Sequence, residues 1–82
     1  MNIKILGTGC ANCNRLEALV REVVGELAIP AEIEKVTDYK EIMRYGIMAT
    51  PGLVIDGAVK SAGRIPAKAD VVQWVITAQA AQ

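Results

Sequence analysis

Cys10-Ala11-Asn12-Cys13 stands at the junction of two different hydrophobic periodicities, and that junction restricts the fold more than any other feature of the chain. Before it, Ile3 and Ile5 alternate with Asn2 and Lys4, the period of two expected of a strand. After it, Leu16, Leu19, Val20, Val23, Val24 and Leu27 recur at helical spacing. Arg15, Glu17, Arg21, Glu22 and Glu26 fall off that stripe, so the segment reads as an amphipathic helix facing a core. Gly7-Thr8-Gly9 breaks the chain between the two. A strand handed directly to an amphipathic helix implies a helix packed on a sheet.

The remaining segments extend this pattern. Pro30 marks a break, and Ala31–Val36 alternates Ile33 with Glu32 and Glu34 as a half-exposed strand would, with the charges protecting a sheet edge. Asp38 and Glu41, three apart, suggest an N-cap and its reciprocal partner opening a short helix. Tyr39, Ile42 and Met43 would form its apolar side, and Gly46 suits its end. Leu53–Ile55 and Ala58–Lys60 flank Asp56-Gly57, a strong hairpin signal. Pro66 lies near the start of a last helix with Val71, Val72, Val75 and Ile76 on one stripe. The order is β-α-β-α-β-β-α. Its first two strands would form a right-handed parallel unit and its last two an antiparallel hairpin. A four-stranded mixed sheet with helices on both faces buries all three stripes.

Length and charge narrow the function classes. Eighty-two residues make one domain, spanning 1–82. Nine basic residues balance nine acidic ones with neither sign gathered into a block, which argues against nucleic acid. The longest charge-free stretches, Tyr45–Ile55 and Val71–Gln82, fall well short of the ~20 apolar residues that span a bilayer. Met1-Asn2-Ile3-Lys4 runs straight into the strand pattern without the features of a secretory leader. A cytoplasmic monomer, free of membrane and nucleic acid, is the expectation. In a reducing compartment two cysteines serve chemistry rather than stapling.

The two sulfurs should differ. Cys10 precedes the helix, beside unpaired N–H groups and the positive end of the helix dipole, an environment that favours thiolate. Cys13 lies three residues before Leu16 and seven before Val20, on the apolar face. Cys10 is thus the candidate attacking sulfur and Cys13 the candidate resolving one. A C-x-x-C beside a βαβ pattern reads as a redox motif. Other readings remain open at this point. Buried cysteines pack as small hydrophobes. Zinc asks for further Cys or His ligands that the chain lacks, but a soft ion such as Cu(I) accepts two.

Tyr45-Gly46-Ile47-Met48-Ala49-Thr50-Pro51-Gly52-Leu53-Val54-Ile55-Asp56-Gly57 resembles the thioredoxin stretch of Tyr-Gly-Ile, two residues, a β-branched residue, Pro, an apolar strand and a Gly turn. With Gly9-Cys10-Ala11-Asn12-Cys13 it resembles the small thioredoxin-like redox-active disulfide proteins, over nearly the whole chain from Ile3 to Val75. The resemblance implies a thioredoxin-like α/β fold and a cis bond at Thr50-Pro51, in a loop lying against Cys10 and Cys13. It also gives Thr50 and Pro51 a substrate-binding role, with the backbone before the proline pairing to an extended segment. The implied activity is thiol–disulfide exchange with protein disulfides. No flavin or nucleotide fingerprint is present, so a separate thioredoxin-reductase-type donor would return the electrons, with no cofactor and no metal in the chain. The alternatives using the same cysteines are a soft-metal-binding metallochaperone and a redox-sensing module. Heavy-metal-associated domains usually carry Met where Thr8 stands and run β-α-β-β-α-β, whereas this chain ends in a helix.

The departures are specific. Gly9 replaces the Trp of thioredoxin, Ala11-Asn12 replaces Gly-Pro, and Lys4 stands in place of a buried Asp. Lys4 could lower a thiol pKa only if it points toward the sulfurs. Ser61-Ala62-Gly63-Arg64 matches poorly the glycine pair with which glutaredoxins hold glutathione. Elsewhere, Trp74 reads as a core-edge filler, Met43 as core, Met48 as lining the rim near Pro51, and Tyr39 and Tyr45 as packing.

Overall fold

The computed structural model describes residues 1–82. Seven elements follow in order: β1 (Asn2–Leu6), α1 (Ala11–Glu26), β2 (Glu32–Val36), α2 (Tyr39–Arg44), β3 (Gly52–Ile55), β4 (Ala58–Ala62) and α3 (Lys68–Ala80). The four strands form one sheet in the order β2-β1-β3-β4. β1 pairs parallel to β2, with Ile3 opposite Ile33, and antiparallel to β3, with Ile5 opposite Leu53. β3 and β4 close the sheet as an antiparallel hairpin. The mixed sheet and element order are those expected. β2 lies at one edge, where Glu32 and Glu34 are exposed and present charge to any approaching strand.

The alternation of side chains on the strands divides the core in two. Ile3, Ile5, Leu53 and Ile55 face one side, where Leu16, Val20 and Val23 of α1 and Val71 and Val75 of α3 cover them. Leu6, Val36 and Val54 face the other, under Ile42 of α2 and Ile47 of the following loop. Helices therefore lie on both faces. Each fully buried aliphatic side chain contributes roughly 1.5–3 kcal/mol, so the nine-residue α1–α3 layer is the main source of stability. Across its surface Lys68 bridges Glu22 and Glu26 at 3.1 and 3.0 Å, exposed contacts whose energetic weight is small. No helix is long and apolar enough to cross a membrane.

Four local expectations change. Tyr39 and Met43 are exposed rather than core. A six-residue helix offers the sheet only one fully buried position, and Ile42 takes it. Ile76 is 46% exposed, because it follows Val75 by about 100° of helical rotation and so turns off the face centred on Val71 and Val75. Asp38 does cap α2, accepting the Lys40 N–H at 2.9 Å. Glu41, however, pairs forward with Arg44 at 3.0 Å instead of reaching back to Asp38. Finally, β4 continues to Ala62, two residues beyond Lys60.

Asp56 ties the ends of the chain to the hairpin. Asp56 and Gly57 have φ values of 48° and 85°, the left-handed pair that a tight two-residue hairpin turn requires. The Asp56 carboxylate accepts the Asn2 N–H and the Gln82 side-chain amide, both at 2.8 Å. The Asn2 donor, followed by Gln82, holds its pKa below the ordinary 3.8. A depressed folded pKa contributes stability above the unfolded value and loses it as pH falls through the folded one. Asp56→Asn keeps a residue that tolerates positive φ. It should remove this share of the acid-side loss below about pH 4, read as a flatter midpoint-versus-pH curve in urea unfolding.

Candidate active site

The break at Gly7-Thr8-Gly9 brings the chain from the C-terminal end of β1 to the first turn of α1, and Cys10 is the N-cap of that helix. Its φ and ψ of −67° and 163° are extended, as an N-cap requires. Its Sγ accepts the Cys13 N–H at 3.1 Å, and its carbonyl accepts the Asn14 N–H at 3.1 Å. The sulfur thus occupies the place usually held by a serine or aspartate oxygen. One free N–H of the helix points at it, and the dipole adds to the effect. Both favour the thiolate over the thiol.

Cys13 meets a different environment. It is 1% exposed and lies on the buried face of α1 with Leu16 and Val20. Cys10 is exposed. The two form a disulfide across a Cα–Cα separation of 5.1 Å. One cysteine is therefore at the surface and the other is buried behind it.

The Thr50-Pro51 peptide bond is cis. Pro51 is fully buried, and its carbonyl accepts the Gly63 N–H at 2.9 Å, which anchors the loop to β4. Thr50 is exposed, and neither its N–H nor its carbonyl makes a backbone hydrogen bond within the chain. Thr50 and Cys13 both border Gly7, so the loop lies against the cysteine pair. Beside Thr50 runs a groove of about 320 Å³ floored by Ile42 and Ile47 and rimmed by Tyr39, Met43 and Met48. Met48 is 99% exposed. The exposure of Tyr39 and Met43 is what opens this groove. A wider, mostly polar hollow lies at the far end of β1, between Asn2 and Gln79, away from either cysteine.

Lys4 does not serve the sulfurs. Strand alternation turns it to the α2 side of the sheet, away from Ile3 and Ile5, and its ammonium lies 5.9 Å from the centre of the Tyr45 ring. Tyr45, with smaller contributions from Glu34 and Glu41, raises its pKa above the ordinary 10.5. Gly7 was legible only as a strand breaker. Its contact with Cys13 depends on how α1 docks on the sheet, and no local pattern carries that information.

A disulfide at a helix N-terminus, one sulfur exposed and one buried, beside a cis-proline loop on this sheet defines a thiol–disulfide oxidoreductase. The thioredoxin domain model matches residues 1–76. A thioredoxin of Methanothermobacter thermautotrophicus is 48% identical over 71 residues, covering 87% of this chain and 92% of the relative. Two thioredoxins of Methanocaldococcus jannaschii are 42% and 34% identical, each over 69 residues and at least 79% of either chain. The chain belongs to the thioredoxin domain family.

Proposed function

We propose that the chain, acting over residues 1–82 as one monomeric domain in a reducing compartment such as the cytoplasm, reduces protein disulfides with Cys10 as nucleophile and Cys13 as resolving thiol. The observation that carries this assignment is the asymmetry of the two cysteines: an exposed Cys10 whose Sγ accepts a helix N–H, and a Cys13 that is 1% exposed.

In the first step the Cys10 thiolate attacks one sulfur of a substrate disulfide. A Cys10–substrate bond forms, the substrate S–S bond breaks, and the released sulfur leaves as thiolate and takes a proton. In the second, Cys13, having lost its proton, attacks Cys10 Sγ and displaces the other substrate sulfur. The substrate gains two electrons and the Cys10–Cys13 pair loses two. A separate reductase of the thioredoxin-reductase type restores the dithiol.

Thr50 and Pro51 bind the substrate segment in this reading. The free N–H and carbonyl of Thr50 can pair with an extended backbone as an added strand would. Pro51, buried and anchored to Gly63, keeps that edge rigid. The apolar groove lies next to it and suits side chains flanking the substrate cysteine.

With dithiothreitol as electron donor, the chain purified under reducing, anaerobic conditions should reduce insulin disulfides catalytically, seen as insulin B-chain turbidity well ahead of dithiothreitol alone. A variant lacking both sulfurs should match the dithiothreitol control. Isolation with stoichiometric copper, together with no insulin reduction, would contradict the assignment and favour a soft-metal carrier.

A further inference from the structure

Two glycines precede the cysteines and serve different ends. Gly9 has a φ of 89°, and a Cβ built on it would meet nothing within 4 Å, so it supplies a backbone conformation rather than space. Gly7 is not among the positive-φ glycines, so no left-handed conformation calls for glycine there. What surrounds it is the constraint. A Cβ built on Gly7 would overlap Cys13 Sγ, approach Cys13 Cβ to 3.2 Å and stand 3.8 Å from Thr50 Cβ.

Neither side of this contact can retreat easily. Gly7 is buried, and its N–H donates to the Val36 carbonyl at 2.9 Å, which continues the β1–β2 pairing past the end of β1. Cys13 is held by α1, whose Leu16 and Val20 are fully buried in the main core. Its N–H is already engaged by Cys10 Sγ. An added methyl group would therefore compete for the volume of the sulfur itself. The side chain must rotate, or the first turn of α1 must shift.

We infer that Gly7 is a positioning residue for the second step of exchange: its missing side chain is the slot that keeps Cys13 Sγ within bonding reach of Cys10. The inference rests on the reading of Cys13 as the resolving thiol. In that step Cys13 thiolate forms a bond to Cys10 Sγ while the Cys10–substrate bond breaks, and the substrate sulfur leaves with the electron pair and takes a proton. The three sulfurs must lie nearly in line. Small misplacements of a reacting group cost up to about a hundredfold in rate. Attack by the exposed Cys10 makes no such demand on Gly7.

Ellman's disulfide separates the two steps. Reduced protein releases one nitrothiobenzoate when Cys10 attacks and a second when Cys13 resolves the mixed disulfide. In Gly7→Ala the first release should stay within about threefold of wild type and the second should slow by about tenfold or more. A merely structural role would leave both phases unchanged while lowering the unfolding midpoint. An unaltered second phase would overturn the inference.

Stability supplies an arm that needs no reaction. Gly7→Ala should cost much more in the native background than in Cys13→Ala, which lacks the competing sulfur. Equal costs in the two backgrounds would overturn the inference. If Gly7→Ala fails to fold, the double variant Gly7→Ala/Cys13→Ala should fold, and its failure would be equally contrary. A wild-type chain whose Cys10 gives no first release would defeat the catalytic assignment alone, since the stability cycle reads only the contact between Gly7 and Cys13.

Discussion

Cys13→Ser should accumulate covalent partners that dithiothreitol releases, while Cys10→Ser should accumulate none. Cys10→Ser should fall to the dithiothreitol control in insulin reduction, because it removes the attacking sulfur, and Cys13→Ser should turn over only as fast as dithiothreitol frees the mixed disulfide. The difference lies in where each blocks the cycle. Without Cys13 the exposed Cys10 still attacks and then remains bonded to its substrate, with only external thiol to free it. Without Cys10 the remaining sulfur, 1% exposed beneath the first turn of α1, meets no macromolecular disulfide. Trapped species resolved on non-reducing gels after mixing with a cell extract check this. Equal trapping by the two variants would undo the assignment of roles.

Much of this arrangement is legible in the residues because it rests on periodicity. Ile3 and Ile5 alternate, Leu16, Val20 and Val23 repeat at helical spacing, and Asp56-Gly57 closes a hairpin. Each pattern is local, and each survives in the fold. The placement of Cys10 at the helix N-terminus and of Cys13 on the buried stripe follows from the same register. The Thr50-Pro51 loop is different. Spacing alone describes a turn before a strand, and the expectation of a cis bond came from the family resemblance.

What escaped is set by tertiary packing. Tyr39 and Met43 share an apolar side with Ile42 in the sequence, but a helix this short covers only one position of the sheet, and the other two line a groove. Ile47, in a loop with no periodicity, is 6% exposed and completes the second core cluster. Glu41 had two available partners, and Arg44 on its own helix won over the Asp38 N–H. Lys4 stands where thioredoxin has a buried Asp, and only the strand's pairing in the sheet shows that it turns toward Tyr45. The contact of Gly7 with Cys13 joins the end of a strand to the start of a helix, and no pattern within either segment shows it.

The central claim is that one fold gives two identical side chains different chemistry, and the rate at which each is alkylated measures that difference directly. In the disulfide Cys10 is exposed at a helix N-terminus, and the Cys13 backbone nitrogen lies 3.1 Å from its sulfur, ready to serve the thiolate once the pair is reduced. Its thiol should titrate below the ordinary ~8.5. Cys13 lacks both solvent access and a free N–H, so it should resist reagent until the chain unfolds. With iodoacetamide under reducing conditions, mass spectrometry of peptides should show Cys10 modified at least about tenfold faster than Cys13 at neutral pH. The Cys10 rate should follow a single titration displaced to lower pH. Comparable rates at the two cysteines, or a Cys10 titration at or above 8.5, would contradict the account.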